Sequence, residues 1–157
     1  MKESEYIMGT RSLTFVYDEP YSKRSKPKAI INMYRQFDGY PSGHGKELYE
    51  FLKPFTITNG ISGGAKLGNS ANGIGCLAGQ LVCHFKKEVG NVYLHSVTEK
   101  NCGQDFEYHV FGTKDDGFRI KVVNRGCNFF GMQSSETNEA IFDGDLETFG
   151  KFCTENE

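Results

Sequence analysis

The sequence predicts an α+β fold in which two main helices and a short C-terminal helix pack on an antiparallel sheet of about five to six strands. Two strand patterns come first, the strongest helical stripe lies in the middle of the chain, and three strand patterns follow it in series. With 157 residues, 38% of them hydrophobic, the chain can bury a core and suits one domain better than two. We therefore expect a single domain over residues 1–157.

The first two strands are predicted from their apolar residues. Over 10–18, Leu13, Phe15 and Tyr17 occupy alternate positions, the period of a half-buried strand. Over 28–37, apolar side chains fall on both faces, which indicates a central strand. The segment between them is rich in lysine, arginine and serine and is predicted to be a mobile hairpin loop.

Helical spacing occurs twice in the middle of the chain. Residues 46–53 predict a short helix that Pro54 ends. Residues 74–88 carry a continuous apolar stripe, formed by Ile74, Leu77, Ala78, Leu81, Val82 and Phe85. The glycine-, asparagine- and serine-rich stretch 59–73 is predicted to be a long loop or lid.

The last part of the chain predicts three strands in series, over 91–97, 106–113 and 117–124, because β-branched and aromatic residues are frequent there. The Asp-Gly pair at 116–117 is typical of a hairpin turn between the last two. A short strand over 139–142 and a helix over 146–152, capped by Asp143 or Asp145, complete the prediction.

The charge balance bears on the class of partner. Eighteen Lys plus Arg face twenty Asp plus Glu, a formal charge of −2, so we expect neither nonspecific nucleic-acid binding nor attraction to an anionic membrane. No apolar run approaches the roughly 20 residues of a membrane-spanning helix, and the N-terminus lacks the apolar stretch of a secretory signal. A cytoplasmic protein is the expectation.

The cysteines and histidines predict neither a disulfide framework nor a metal site. Five cysteines are an odd number without a C-x-x-C pair, and four histidines show no ligand spacing. Cys76 and Cys83 are interpreted as core residues of the long helix, whereas Cys102 lies in a polar stretch that could expose its thiol. No cofactor is predicted.

The candidate ligand-binding site consists of Arg11, Arg35, Asp38, Tyr40 and His44. Antiparallel pairing of the first two strands would bring both arginines near the turn 38–45, and the planar fork of arginine suits phosphate or carboxylate. The start of the following helix adds backbone N–H groups that favour an anion and a neutral histidine. A structural ion pair between an arginine and Asp38 is the alternative.

Two further patterns are weaker. The glycine-rich stretch lacks the glycine-lysine-serine/threonine ending of a P-loop and the setting of a dinucleotide fingerprint, so neither nucleotide motif is present. Asp105, Glu107 and His109 alternate along one strand face and either line a site or face water. We interpret them as a solvated face.

Two segments resemble a family of small phage and bacterial proteins without a settled activity. These are Met8-Gly9-Thr10-Arg11-Ser12 and the stretch 34–45, which contains Phe-Asp-Gly-Tyr-Pro at 37–41. Members of the family begin Met-Gly-Thr-Arg-Ser and carry a Trp/Phe-Asp-Gly-Tyr-Pro turn. The resemblance covers about the first third of the chain, and it implies an N-terminal extension over 1–7 and a phage-type accessory protein.

The leading hypothesis is a non-enzymatic binding protein that holds an anionic, nucleotide-like small molecule or a host protein, with interference in host defence signalling as a suitable role. It would act in the host cytoplasm, and a homo-oligomer is left open. The first alternative is a metal-independent phosphoesterase or nucleotide-processing enzyme with His44 or His109 as general base and Arg35 on the phosphoryl oxygens. The second alternative is a virion or complex-assembly protein.

Overall fold

The computed structural model describes residues 9–18, 27–60, 69–113, 117–126 and 140–156. Their α+β fold consists of one large sheet, a small two-stranded sheet and three α-helices. The strands are β1 (Ser12–Tyr17), β2 (Ala29–Arg35), β3 (Thr56–Thr58), β4 (Ser70–Asn72), β5 (Val92–His95), β6 (Phe106–Gly112), β7 (Phe118–Asn124) and β8 (Ala140–Asp145). The helices are α1 (Lys46–Leu52), α2 (Gly73–Phe85) and α3 (Leu146–Glu155), and a π-helical turn, Pro41–Gly45, leads into α1.

The large sheet has six strands in the order β5-β2-β1-β6-β7-β8. Its neighbours are antiparallel except β1 and β6, which run parallel with Ser12 opposite Phe106. The prediction of an antiparallel sheet is therefore wrong at this one pair. The β1–β2 and β6–β7 hairpins are local and follow from the sequence, whereas the parallel pairing joins strands about 90 residues apart, where no turn signal acts.

The apolar stripe of α2 packs on one face of the sheet and confirms the predicted helix. Leu77 and Leu81 are fully buried in a cluster that includes Met33 of β2 and Ile120 of β7. The helix ends at Phe85, before the predicted end at 88, because the next residue is extended. No helix among the described residues has the length and apolar character needed to cross a membrane.

The two cysteines of α2 correct a sequence interpretation. Cys76 and Cys83 are exposed, so the view that they are core residues is wrong. Both lie beside the stripe of Ile74, Leu77 and Leu81, on the part of the helix that faces away from the sheet. Among the four cysteines that the structure describes, Cys153 of α3 is the buried one, and Cys102 is half-buried.

The opposite face of the sheet is also buried around its centre. Leu13, Phe15 and Tyr17 of β1 pack there with Tyr34 and Phe111. Every residue of β1 is buried, so its alternating pattern reflects two buried faces and not the predicted half-buried strand. The loop over 96–104 crosses this face, where the ammonium of Lys100 lies 4.7 Å from the Phe15 ring centroid.

The C-terminal elements agree with their prediction. Asp145 caps α3, since its carboxylate accepts the backbone N–H of Thr148 at 2.8 Å. The predicted loop 59–73 is wrong at its end, because residues 70–72 form β4, which pairs in parallel with β3, and α2 begins at Gly73. Residues 61–68 of this loop, 19–26 of the first hairpin loop, the extension 1–7 and Cys127 lie outside the described residues.

Candidate functional site

Arg35 ends β2 on the helix-covered face of the sheet and is held from several sides. Its Nε donates to the carbonyl of Phe37 at 2.7 Å, and its Nη1 donates to His44 Nδ1 at 3.2 Å. The same Nη1 forms an ion pair with the carboxylate of Glu47, in the first turn of α1. The Phe85 ring centroid lies 6.0 Å from its Cζ. The guanidinium is therefore buried and fixed in orientation.

His44 is fully buried behind Arg35. A guanidinium can only donate, so Nδ1 carries no proton, and the Nε2–H donates to Thr14 Oγ1 at 2.7 Å. Burial, and secondarily the charge of Arg35, lower the pKa of His44 to about 3. The ring is neutral, as the sequence predicted, but both nitrogens are used inside the protein. His44 thus positions Arg35 and presents no group to a ligand.

The turn before α1 also uses its own N–H groups. Those of Gly43 and Gly45 donate to the carbonyl of Tyr40, and that of His44 donates to the carbonyl of Asp38 at 2.7 Å. The sequence predicts an ordinary helix start, in which these N–H groups would be free donors. The chain instead forms a π-helical turn, and the N–H groups donate to carbonyls of the same segment. The turn therefore adds no backbone anion site beside Arg35.

Asp38 and Tyr40 lie at the surface of this turn. The Tyr40 hydroxyl donates to Asp38 Oδ1 at 3.2 Å, and Tyr40 is 39% exposed. Arg35 does not form the alternative ion pair with Asp38, because Arg35 pairs with the carboxylate of Glu47.

Arg11 lies on the other face of the sheet, away from Arg35. Ser12 pairs with Arg35 across the strands and shares its face, so Arg11, one position earlier, points the opposite way. Its backbone N–H donates to Asp105 Oδ2 at 3.0 Å, and its Nη1 lies beside Gly103. The antiparallel pairing was predicted correctly, but it separates the two guanidiniums.

A cleft of about 440 Å³, here named the Arg35 cleft, opens beside the guanidinium. It is formed by the end of β2, the first turn of α1, the end of α2 and the start of β5. Its lining consists of Arg35, Glu47, His84, Phe85, Lys87, Glu88, Gly90, Asn91 and Val92. Most of these residues were missed because they come from three distant segments that only the folded chain brings together.

Asn91 has an unusual backbone conformation at the wall of the cleft. Its φ of 59° is unusual for a residue other than glycine, and asparagine tolerates it better than most. Its carbonyl accepts the N–H of Gln36 at 2.9 Å and its Oδ1 accepts the N–H of Phe37 at 3.1 Å. Asn91 thereby fixes the chain that follows Arg35.

The ion pair at the cleft is asymmetric. The side chain of Arg35 is 8% exposed and that of Glu47 is 53% exposed. Within the described part of the chain, Nη2 of Arg35 and Nδ2 of Asn91 make no hydrogen bond. Burial and the neighbouring Lys87 lower the pKa of His84, which favours its neutral form. The cleft therefore combines a fixed cation with a carboxylate that can move into water.

A second polar cluster lies on the opposite face of the sheet. The Tyr17 hydroxyl donates to His109 Nδ1 at 2.6 Å, and His109 Nε2 donates to Glu107 Oε2 at 3.1 Å. Arg125 holds Glu107 with two hydrogen bonds, of 2.9 and 3.1 Å, and Gln104 donates at 2.8 Å. Burial favours a higher pKa for Glu107, but these hydrogen bonds outweigh it and lower the pKa to about 2.

This cluster corrects the interpretation of Asp105, Glu107 and His109 as a solvated face. Glu107 is 3% exposed and the other two are half-buried. The alternating pattern could not show whether this face is exposed, because the loop over 96–104 covers it. The sequence of one strand does not indicate which other segment packs on it. Glu107 and His109 belong to one hydrogen-bonded network, whereas the Asp105 carboxylate accepts the backbone N–H of Arg11.

Among the described residues, no group of three or more histidine, cysteine or acidic side chains is placed to hold a metal ion. Comparison of the chain with protein-family models, with curated proteins and with solved structures finds no match. The proposed function therefore rests on the geometry of the site.

Proposed function

We propose that this protein is a non-enzymatic binding module that holds a small anionic molecule, of the phosphorylated or nucleotide-like kind, in the Arg35 cleft. The observation that carries the proposal is the asymmetric ion pair, in which a buried and oriented Arg35 meets a half-exposed Glu47 at the cleft wall. A ligand phosphate or carboxylate would take the place that Glu47 occupies.

The donors around the cleft support an anion. Arginine offers parallel N–H groups that match two oxygens of a phosphate or carboxylate. Within the part of the chain that the structure describes, Nη2 of Arg35 and the side-chain amide of Asn91 donate no hydrogen bond, so both can donate to a ligand. The Lys87 ammonium lines the same cleft. Glu47 and Glu88 offset part of this positive charge, which would make binding selective for ligands that can displace a carboxylate.

Binding is favoured over catalysis because the candidate bases are engaged elsewhere. His44 is locked between Arg35 and Thr14, and His109 lies on the opposite face between Tyr17 and Glu107. A metal-independent phosphoesterase with a histidine base would have to use His84, the imidazole in the cleft wall. That gives the enzymatic alternative one residue on which it can be tested.

The proposed biological role has a different support, the resemblance of two segments in the first third of the chain to small phage and bacterial proteins. We propose on that basis that the captured anion belongs to host defence signalling, with action in the host cytoplasm. A host protein as partner and a role in virion assembly are the alternatives that the first experiment separates.

The first experiment asks what the purified protein carries. The protein is incubated with a panel of nucleotide metabolites, washed, denatured, and the released small molecules are identified by mass spectrometry. Recovery of an unaltered anion supports the binding module. An altered one whose formation stops in His84→Ala supports the enzyme, and release of nothing contradicts the proposed function and favours assembly or a protein partner.

A second experiment locates the site with inorganic pyrophosphate as probe. Isothermal titration should show binding that Glu47→Gln strengthens, because the internal competitor loses its charge, and that Lys87→Ala weakens. Lys53→Ala is the matched control, since this exposed lysine lies outside the cleft, over the Tyr49 ring. If Lys87→Ala and Lys53→Ala weaken pyrophosphate binding equally, the affinity depends only on the net charge of the protein, and the cleft is not the site.

A further inference from the structure

A second cavity, of about 500 Å³, lies on the opposite face of the sheet from the Arg35 cleft. Its wall is aromatic. Tyr34 of β2 and Tyr93 of β5 are direct cross-strand partners, with ring centroids 6.0 Å apart and planes at 57°. The ring of His95 meets Tyr34 edge-on at 5.2 Å. Tyr93 is 50% exposed, and the Lys86 ammonium lies 5.4 Å from its ring centroid, so the part of the ring that Lys86 does not cover is open to a ligand.

Polar groups at the rim are held in place. The Tyr34 hydroxyl donates to Oε1 of Gln36. The buried amide of Asn32 donates to the backbone carbonyl of Glu99 at 2.9 Å and thereby fixes the loop over this face. The Glu99 carboxylate accepts the backbone N–H of Asn101 at 3.3 Å. Glu99 and Asn101 therefore lie close together in this loop, and both line the cavity.

The charge of the lining distinguishes this cavity from the Arg35 cleft. Its described lining residues include one carboxylate, Glu99, and neither lysine nor arginine, whereas the cleft has both Arg35 and Lys87. Two cations lie outside this lining but near it, Arg11 beside Gly103 and Lys86 over the Tyr93 ring. The two cavities share no lining residue, so the following proposal is independent of the anion site. An uncharged ring with N–H donors suits this wall better than a phosphate.

We propose that this cavity, the Tyr93 pocket, binds a purine base of the guanine type. The flat base would stack on the exposed ring of Tyr93, as bases do on aromatic side chains. Its adjacent N1–H and N2–H groups would donate to the two oxygens of Glu99, and its O6 would accept from the Asn101 amide. Adenine presents an acceptor at N1 beside a single amino donor at N6, so it would give the carboxylate one donor at most and would set N1 against the other carboxylate oxygen.

The test uses nucleosides, which carry no phosphate and so do not report on the Arg35 cleft. 2′-Deoxyguanosine and the matching 2′-deoxy forms of inosine and adenosine are titrated against the full chain, and the upfield shift of the base H8 proton is followed by NMR. We expect deoxyguanosine to bind most tightly, deoxyinosine more weakly because it lacks the 2-amino group, and deoxyadenosine most weakly.

Variants then assign the binding to the pocket. Tyr93→Leu should weaken deoxyguanosine binding about fivefold or more, while Tyr93→Phe, which keeps the ring, should retain it. Glu99→Gln should remove the preference for deoxyguanosine over deoxyinosine. Tyr40→Leu, at another exposed tyrosine, is the matched control and should change nothing.

Three outcomes would overturn the proposal. These are the absence of any shift at millimolar nucleoside, equal binding of deoxyguanosine and deoxyadenosine, and binding that Tyr93→Leu leaves unchanged while its thermal unfolding matches the wild type. A loss of binding in Tyr93→Leu counts for the proposal only if Tyr93→Phe retains it, which separates loss of the ring from loss of the fold.

Discussion

The asymmetry of the Arg35–Glu47 pair predicts that its two partners differ sharply in their effect on stability. Arg35→Met removes the donor of the buried His44 Nδ1 and the packing of the guanidinium against Phe85. A buried acceptor left without a partner costs about 1–3 kcal/mol, and lost packing adds to it, so we expect a loss of about 2–4 kcal/mol. Glu47→Gln breaks the same ion pair from its half-exposed side and should cost less than about 1 kcal/mol.

Urea denaturation followed by circular dichroism measures both effects. A shift of the midpoint at constant slope reports a change in stability alone, so the two variants can be compared directly with the wild type. If Glu47→Gln were as destabilising as Arg35→Met, Glu47 would be a fixed structural partner. The idea that a ligand anion replaces its carboxylate would then be refuted.

Three other predictions concern the core and the two buried polar networks. Leu81→Ala should lower the free energy of unfolding by roughly 2–5 kcal/mol, and a loss below about 1 kcal/mol in urea would contradict the burial of the α2 stripe. The pKa of His44 is about 3 in the folded state against an ordinary 6.5, so the free energy of unfolding is highest above pH 6.5 and falls as the pH falls toward 3. Between pH 7.5 and 5, protonation of His44 in the unfolded chain should lower the free energy of unfolding by about 2 kcal/mol. Urea denaturation of His44→Gln should show a smaller dependence on pH. Glu107, with a pKa of about 2 against 4.5, stabilises fully above pH 4.5 by on the order of 3 kcal/mol and loses this as pH falls toward 2. Glu107→Gln should therefore be several kcal/mol less stable than the wild type at pH 7, and this difference should narrow below pH 3. A difference that stays constant with pH would show that Arg125 and His109 do not act on the charge of the Glu107 carboxylate.

Local patterns predicted most of the elements. The stripe of α2, the cap at Asp145 and the hairpin of β6 and β7 depend on neighbours within a few residues, and all three are present. The parallel pairing of β1 with β6 and the burial of β1 on both faces depend on segments far apart in the chain. No periodicity within a single strand can report them.

The candidate site was predicted in part for the same reason. Arg35 and His44 do lie together, since the turn after β2 folds back over nine residues. Arg11 does not join them, because one position along a strand reverses the face. Glu47 and Lys87, which complete the cleft, come from α1 and from the segment just after α2, and their proximity arises only from helix packing on the sheet.

NMR of the Arg35 and Glu47 side chains during a titration with inorganic pyrophosphate shows whether a ligand anion replaces the Glu47 carboxylate. We expect the Arg35 Nε–H signal to shift but to stay protected, because Phe37 and His44 keep the guanidinium in place. We also expect the Glu47 carboxylate carbon to move toward the chemical shift of a free, solvated glutamate as the anion takes over Nη1. If pyrophosphate leaves both signals unchanged, or binds while Glu47 keeps its ion-paired shift, the anion does not replace Glu47 and the Arg35 cleft is not the site.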